Sequence, residues 1–219
     1  MNKDTLKLAE DGFDILSAKF PELGSVKSSF VKSTELLLES FKKGGRLFIC
    51  GNGGSASDAE HIAGELVKGF LLKRPLSPEK LEEYAATFKE DAPLLKNLQG
   101  GLPAISLCSN SALITAIAND QGFDYVFAQQ VLALATKGDC LLCLSTSGKS
   151  ASVIMAAKLA KAMGMSVIGL TGPEPSLLAE HCTETICCPG KNAGEIQDLH
   201  RPVYHELCAL IEKRFFVSN

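Results

Sequence analysis

The chain has 219 residues, enough to bury the core of one α/β domain but with little room for a second. Its composition is 46% hydrophobic and 21% charged, with a formal net charge of −3, and nothing in it indicates a nucleic-acid-binding surface. The polar N-terminus lacks the apolar segment of a signal peptide, and no apolar run approaches the length of a membrane span. We therefore expect a globular cytoplasmic protein that binds neither nucleic acid nor a membrane.

Two amphipathic helices are predicted ahead of the first strand, over residues 5–20 and 26–43. Residues 1–44 therefore form a helical pair. Its apolar stripes must be buried, either against the chain's own sheet or against another subunit. We favour oligomerisation, with capping of the chain's own core as the alternative.

Short apolar runs alternate with helical segments through the rest of the chain, a pattern typical of a parallel sheet with right-handed crossovers. The predicted strands are residues 47–50, 103–107, 139–144, 166–170 and 185–188. Further helices are predicted at 111–118, 124–135, 176–180 and 195–215, the last kinked or restarted at Pro202. We predict one three-layer α/β/α domain over residues 1–219, with a five-stranded parallel sheet in the flavodoxin-like order 2-1-3-4-5.

Residues 71–101 read as an inserted excursion, because prolines and a charged run interrupt the alternation there. A short helix is predicted near 79–88. The length of the segment suggests a lid or an interface flap, and a plain surface insertion is the alternative.

Several of the eight cysteines fall in apolar, strand-like runs, where they are expected to be small buried hydrophobes. Cys140 and Cys143 have a CxxC spacing, but residues three apart in a strand point to opposite faces. The pair is therefore not expected to chelate a metal together.

The first strand leads into a glycine-rich turn over residues 51–54 and then into a helix. Glycines permit positive φ and let backbone N–H groups approach a ligand, while a helix N-terminus favours an anion. The turn matches neither the dinucleotide fingerprint nor a P-loop, so we expect a phosphate or the polar end of a sugar. His61 and Glu65 lie four apart on the helix and share one face, which indicates a base and a metal ligand or, alternatively, a solvated pair.

The third strand runs into a second candidate anion site, Ser-Thr-Ser-Gly-Lys-Ser over residues 145–150. Its hydroxyls and free backbone N–H groups converge where the helix dipole is positive, although a plain N-cap cluster has the same residue types. In the predicted strand order, this loop and the glycine turn flank the topological switch point, where such folds bind ligands.

Two further segments carry candidate residues. On the last helix, Gln197 and His205 lie eight apart and share a face, whereas His200 should face away from His205. Asn119 and Asp120 break the chain after a helix and are simple turn residues unless their loop faces the glycine turn.

Together these segments resemble the bacterial phosphoheptose isomerases, which have the sugar isomerase (SIS) fold. The resemblance covers nearly all of residues 26–215 and rests on GNGGSASDAEH with Glu65, the Asn119-Asp120 pair, STSGKS at 145–150 and IQDLHRPVYH at 196–205. That family converts sedoheptulose 7-phosphate to D-glycero-D-manno-heptose 7-phosphate, an early step toward the heptose of bacterial envelope polysaccharide.

The resemblance implies a role for each matching residue. Glu65 and His205 would be the acid/base pair, and the assembly would be a homotetramer with active sites shared between subunits. The implied phosphate ligands are Ser145, Thr146, Ser147 and Ser150, and the implied sugar contacts are Asn52, Gly53, Gly54, Asn119, Asp120 and Gln197. The implied ligands of a zinc ion, present in at least some members, are His61, Glu65, Gln197 and His205.

Gly194-Glu195 replaces the arginine that commonly precedes the Ile-Gln pair in the family, which predicts an altered substrate contact near Gln197. The excursion at 71–101 is also longer than in the family pattern. A sugar-phosphate-binding regulator of the same fold, of the kind that binds a replication initiator, is one alternative function, although such proteins lack the equivalents of Glu65 and His205. An isomerase of another phosphosugar is the other.

Overall fold

The computed structural model describes residues 3–173 and 176–217, and it confirms the predicted architecture. Five strands form one all-parallel sheet in the order β2-β1-β3-β4-β5. The strands are β1 (Leu47–Gly51), β2 (Ala104–Ser106), β3 (Cys140–Ser145), β4 (Ser166–Thr171) and β5 (Glu184–Cys187). Every residue of β1 and β3 is buried, as expected for central strands covered on both faces.

Helices cover both faces of this sheet. One face carries α1 (Lys3–Lys19), α2 (Lys27–Lys42), α3 (Gly54–Val67) and α8 (Ala193–Phe216), and the other carries α5 (Ser111–Asp120), α6 (Ala128–Leu134) and α7 (Ala151–Ala162), while α4 (Pro78–Phe88) lies in the excursion. Side chains of β1 alternate between the two cores: Ile49 joins the α1, α2, α3 and α8 side, and Phe48 joins the other.

The N-terminal helices bury their apolar stripes within this chain. Phe13 and Leu16 of α1 and Phe30 and Leu37 of α2 belong to the core that α8 and the sheet complete. The apolar stripes of α1 and α2 therefore cap the chain's own core, which was the alternative prediction for these helices.

The cysteine predictions are confirmed for the CxxC pair. Cys140 points into the core on the α8 side, and Cys143 points into the core on the α7 side. Cys143 instead faces Cys50 of the neighbouring strand, with the two sulfurs 3.8 Å apart. Among the described residues, the cysteines form no disulfide.

The excursion is anchored at its base and exposed at its tip. Helix α4 has no buried residue, and the 3-10 segment after it, Lys89–Asn97, buries only Leu95. At the base, Pro75 bridges Gln99, and the Gly100 N–H donates to the carbonyl of Arg74 at 2.7 Å.

Arg74 itself is buried under this base and fixes it to the main domain. Its guanidinium Nε lies 2.7 Å from a carboxylate oxygen of Glu212 on α8, and its other nitrogens donate to the carbonyls of Glu65 and Leu66. Glu212 also accepts the backbone N–H groups of residues 70, 71 and 72. One buried ion pair therefore joins the excursion, the end of α3 and α8.

Several predicted boundaries were wrong. Helix α5 continues through Asn119 and Asp120, and the chain turns only at Gly122, whose φ of 107° ends the helix. The predicted helices at 124–135 and 176–180 are shorter, with 3-10 turns at Phe123–Tyr125 and Ala179–His181. Helix α8 also runs through Pro202 rather than restarting there, since a proline removes only one backbone donor from a long, well-packed helix.

Among the described residues, no helix is long and apolar enough to cross a membrane.

Candidate active site

The glycine turn and the serine loop lie side by side at the carboxyl ends of β1 and β3. Gly51 is paired with Leu144 in the sheet, so both loops leave the same edge at the switch in strand order. The Asn52 side-chain amide joins them, donating to Ser150 Oγ at 2.8 Å and to Ser152 Oγ at 3.0 Å. Ser152 was not among the predicted residues. It lies in the first turn of α7, directly after the serine loop, and this position was the available signal.

The glycine turn has a conformation that only glycine adopts easily. Gly53 has φ 58° and ψ −125°, and α3 begins at the next residue. Gly54 needs its hydrogen for a different reason, because a Cβ there would collide with the side-chain amide of Gln197. The turn therefore brings the start of α3 into close contact with the Gln197 side chain of α8.

The serine loop presents its hydroxyls ahead of the N-terminus of α7. Ser145 is buried at the end of β3, Thr146 is half-buried, and Ser147 is exposed. Gly148, with φ 60°, turns the chain, and the Ser147 hydroxyl accepts the N–H of Lys149 at 3.2 Å. The hydroxyls of this loop and the dipole of α7 match the chemistry of a phosphate group.

On α3 and α8, three side chains converge on one point. Oε1 of the buried Glu65 lies 2.9 Å from His61 Nε2 and 3.5 Å from His205 Nε2. The His61 and His205 rings pack edge to face with centroids 5.1 Å apart, and Phe70 lies against His205 at 5.7 Å. The structure thus brings together three of the four predicted metal ligands, His61, Glu65 and His205.

Burial shifts the pKa values of Glu65 and His205 in opposite directions. Burial raises the pKa of Glu65, although His61 opposes this shift. Burial and the neighbouring His61 and Arg201 lower the pKa of His205. A raised pKa makes the Glu65 carboxylate a stronger base than an ordinary glutamate, and a lowered pKa favours the neutral form of the His205 imidazole.

The three converging residues fit a zinc ion. Their ligand atoms all lie within 4.8 Å of one another. Two ligands at zinc distances and a tetrahedral angle are roughly 3.4 Å apart, close to the separations of Glu65 from both imidazoles. His205 Nε2 is moreover buried without a hydrogen-bond partner among the described residues, so a ligand placed there would satisfy it. Two imidazoles and one carboxylate are ligand types that zinc accepts, and they leave the fourth position of a tetrahedral site for one further ligand.

A polar row continues from this cluster toward the glycine turn. The buried Asp58 accepts the Gln197 amide at 3.0 Å and the Tyr204 hydroxyl at 3.1 Å, and that hydroxyl also lies 3.3 Å from His61 Nδ1. Because a carboxylate only accepts, Gln197 must turn its nitrogen to Asp58, which leaves Oε1 for a ligand. Asp58 and Tyr204 were missed in the sequence. Asp58 lies three residues before His61 on the same helical face, which was the available signal.

The remaining candidates are placed elsewhere or used differently. His200 faces away from His205, as its spacing predicts, and its ring lies 3.0 Å from the carbonyl of Thr171. Asn119 donates to the neighbouring Asp120, and within the described chain neither side chain hydrogen-bonds to the glycine turn or the serine loop. Glu195 accepts from Lys191 and Asn192, so it closes a capping box at the start of α8.

This fold and site define a class of sugar-binding α/β proteins. The family model described as "SIS domain" matches residues 25–87 and 86–172. The phosphoheptose isomerase of Roseiflexus sp. is 39% identical over 186 residues, covering 85% of this chain and 82% of that protein.

Solved structures agree with the sequence comparison. The phosphoheptose isomerase of Neisseria gonorrhoeae aligns with a TM-score of 0.68 and 31% identity, covering 91% of this chain and 98% of that one. The Francisella tularensis phosphoheptose isomerase aligns with a TM-score of 0.73 and 28% identity, over 90% and 92% of the two chains. The chain belongs to the phosphoheptose isomerase family of SIS-domain proteins and is a sugar-phosphate isomerase.

Proposed function

We propose that this enzyme converts sedoheptulose 7-phosphate to D-glycero-D-manno-heptose 7-phosphate through an enediol(ate), supplying heptose for envelope polysaccharide. The observation that carries the proposal is the convergence of Glu65, His61 and His205 beside two anion-binding loops at one edge of the sheet. It also favours an enzyme over a binding protein of the same fold, which needs the loops but not the converging side chains.

In this proposal the serine loop binds the phosphate and the glycine turn binds the sugar. The phosphate contacts are Ser145, Thr146, Ser147 and Ser150, and the sugar contacts are Asn52, Gly53, Gly54, Gln197, Asn119 and Asp120. The last two do not hydrogen-bond to either loop in the single chain, which is consistent with sites shared between subunits of a tetramer.

The chemistry is a pair of proton transfers. Glu65 and His205 form the acid/base pair: a proton leaves the carbon beside the carbonyl and returns to the neighbouring carbon, while the imidazole moves the hydroxyl proton between the two oxygens. The residues that would hold a zinc ion are His61, Glu65, His205 and, through Oε1, Gln197. When bound, zinc polarises the carbonyl and stabilises the developing oxyanion. We place the reaction in the cytoplasm.

Glu65→Gln tests this assignment. We expect the variant to lose turnover of sedoheptulose 7-phosphate by at least about 100-fold, the scale of general acid/base catalysis, because an amide takes no proton at neutral pH. Binding of the phosphate ester, measured by thermal shift, should stay largely intact because the serine loop is untouched.

Glu60→Gln is the matched control, since Glu60 lies on the same helix and is exposed. It should behave like the unmodified enzyme. Loss of binding with unchanged turnover per occupied site would contradict the role given to Glu65. If the unmodified protein failed to convert sedoheptulose 7-phosphate both with and without zinc, the proposed substrate would be wrong.

A further inference from the structure

Arg74 is a buried cation to which the reaction above gives no part. Its side chain is 0% exposed, and its guanidinium lies over the Phe216 ring, 4.4 Å from the ring centroid. An arginine stays charged and can only donate hydrogen bonds, so its burial requires acceptors from the protein. Three such acceptors surround it, and two of them belong to the helix that carries Glu65.

These two acceptors are backbone carbonyls in the last turn of α3. The guanidinium donates to the Glu65 carbonyl at 2.9 Å and to the Leu66 carbonyl at 2.7 Å. Because α3 ends at Val67, both carbonyls are among the last four of the helix, which have no partner within it. The positive charge also complements the negative end of the helix dipole. Arg74 therefore caps the turn from which the Glu65 carboxylate projects.

The third acceptor belongs to α8. Arg74 Nε donates to Glu212 Oε1 at 2.7 Å. Glu212 lies seven residues after His205, two helical turns further along the same face. One rigid, planar guanidinium thus bonds to both of the helices that meet at the site, where Glu65 Oε1 lies 3.5 Å from His205 Nε2.

We propose that Arg74 is a positioning residue for catalysis: by capping α3 and holding Glu212 of α8, it sets the placement of the Glu65 carboxylate relative to His205. The effect on turnover rests on the proposed function. The capping of α3 does not, because it follows from contacts within the chain alone.

Arg74→Lys keeps the positive charge but replaces the three nitrogens of the guanidinium with a single one. We expect kcat for sedoheptulose 7-phosphate to fall by about 10–100-fold, because a displacement of about 1 Å in a catalytic group has effects of that size. KM should stay within about threefold of wild type, since the hydrogen bonds of Arg74 within the described chain go to neither the glycine turn nor the serine loop. An unchanged kcat would overturn the positioning role.

Asp139→Asn is the matched control, because it separates positioning from a general loss of stability. Asp139 is the buried partner of Arg46, 2.8 Å away, and it lies directly before β3, at the opposite edge of the sheet from the serine loop. Both variants disturb a buried ion pair, so both should unfold at lower urea concentrations than wild type. Assayed where both are folded, only Arg74→Lys should lose turnover. An equal fall of kcat in the two variants would overturn the proposal.

Amide hydrogen exchange, resolved by NMR, tests the capping without substrate or metal. In the wild-type protein, we expect the amides of residues 64–67 to exchange as slowly as those of residues 59–62 in the middle of α3. In Arg74→Lys, the amides of residues 64–67 should exchange at least about tenfold faster, while those of α7 stay unchanged. Fast exchange of residues 64–67 in wild type would overturn the proposal even if the variant failed to fold.

The outcomes for Arg74 and for the proposed substrate are distinguishable. If the wild-type protein did not convert sedoheptulose 7-phosphate, the proposed substrate would be wrong, and the exchange rates would still decide whether Arg74 caps α3. If the wild-type protein converted the sugar and Arg74→Lys did so with the same kcat, the proposed function would stand and the positioning role of Arg74 would be wrong.

Discussion

The buried ion pair between Arg74 and Glu212 makes the sharpest stability prediction. Both side chains are almost fully buried, with 0% and 1% of their surfaces exposed. Glu212→Gln keeps the size of the side chain and removes its charge. The Arg74 guanidinium would then remain buried without a counter-ion, and neither water nor dissolved ions could reach it to stabilise its charge.

The magnitude follows from the bonds that the carboxylate accepts. Oε1 takes the Phe70 N–H and Arg74 Nε, and Oε2 takes the N–H groups of Leu71 and Leu72. An amide keeps one oxygen, so two buried donors lose their acceptor at about 1–3 kcal/mol each. This agrees with the loss of about 3–5 kcal/mol expected when one partner of a buried pair is removed.

Urea unfolding measures this loss as a drop in the transition midpoint at an unchanged slope. The control is Glu39→Gln, which breaks the exposed pair of Glu39 with Lys43, 2.9 Å apart, and should leave the midpoint unchanged. If Glu212→Gln were within about 1 kcal/mol of wild type, the view that this pair fixes the excursion and α3 to α8 would be refuted.

Two other predictions concern the same carboxylate and the glycine turn. Burial works to raise the pKa of Glu212, but the N–H groups of Phe70 and Leu71 and the Arg74 guanidinium outweigh it and lower the pKa below its usual 4.5. The stability that Glu212 contributes is therefore present above pH 4.5 and lost as the pH falls through the folded-state pKa, so the difference in unfolding free energy between wild type and Glu212→Gln should narrow in acid. A difference that stays constant until the wild-type protein itself unfolds in acid would contradict this. In Gly53→Ala the added Cβ meets no atom within 4 Å, but the alanine must adopt φ 58°. We therefore expect the free energy of unfolding, measured by thermal unfolding, to fall by about 1–3 kcal/mol and KM to rise. Gly24→Ala is the control, because Gly24 is equally uncrowded and has no positive φ, and both its stability and its KM should match wild type. If Gly53→Ala and Gly24→Ala had the same stability and the same KM, the argument for backbone strain at position 53 would be wrong.

Patterns of short range were enough to predict the sheet and the helical faces that carry the candidate residues. The alternation of apolar runs with helices predicted five parallel strands, and the flavodoxin-like order chosen for them is the observed one. The four-residue spacing of His61 and Glu65 and the eight-residue spacing of Gln197 and His205 correctly placed each pair on one helical face.

What the sequence could not supply depends on contacts between distant residues. Tyr204 and Asp58 are 146 positions apart, and Arg74 and Glu212 are 138 apart, so no local period connects them. The predicted end of α5 was too early because Asn119 and Asp120 have high turn propensity, whereas the chain turns only at Gly122. Glu195, by contrast, was locally readable, since Asn192 and a glutamate three residues later form a capping box.

Isomerisation of sedoheptulose 7-phosphate in deuterated water tests the central claim most directly. With zinc present, the account predicts an aldose phosphate that carries deuterium on the carbon next to its new carbonyl, because the enediol(ate) is protonated by a group that exchanges with solvent. Glu65→Gln should abolish the incorporation. Binding of the sugar phosphate with neither aldose nor deuterium formed by the unmodified enzyme would contradict the account.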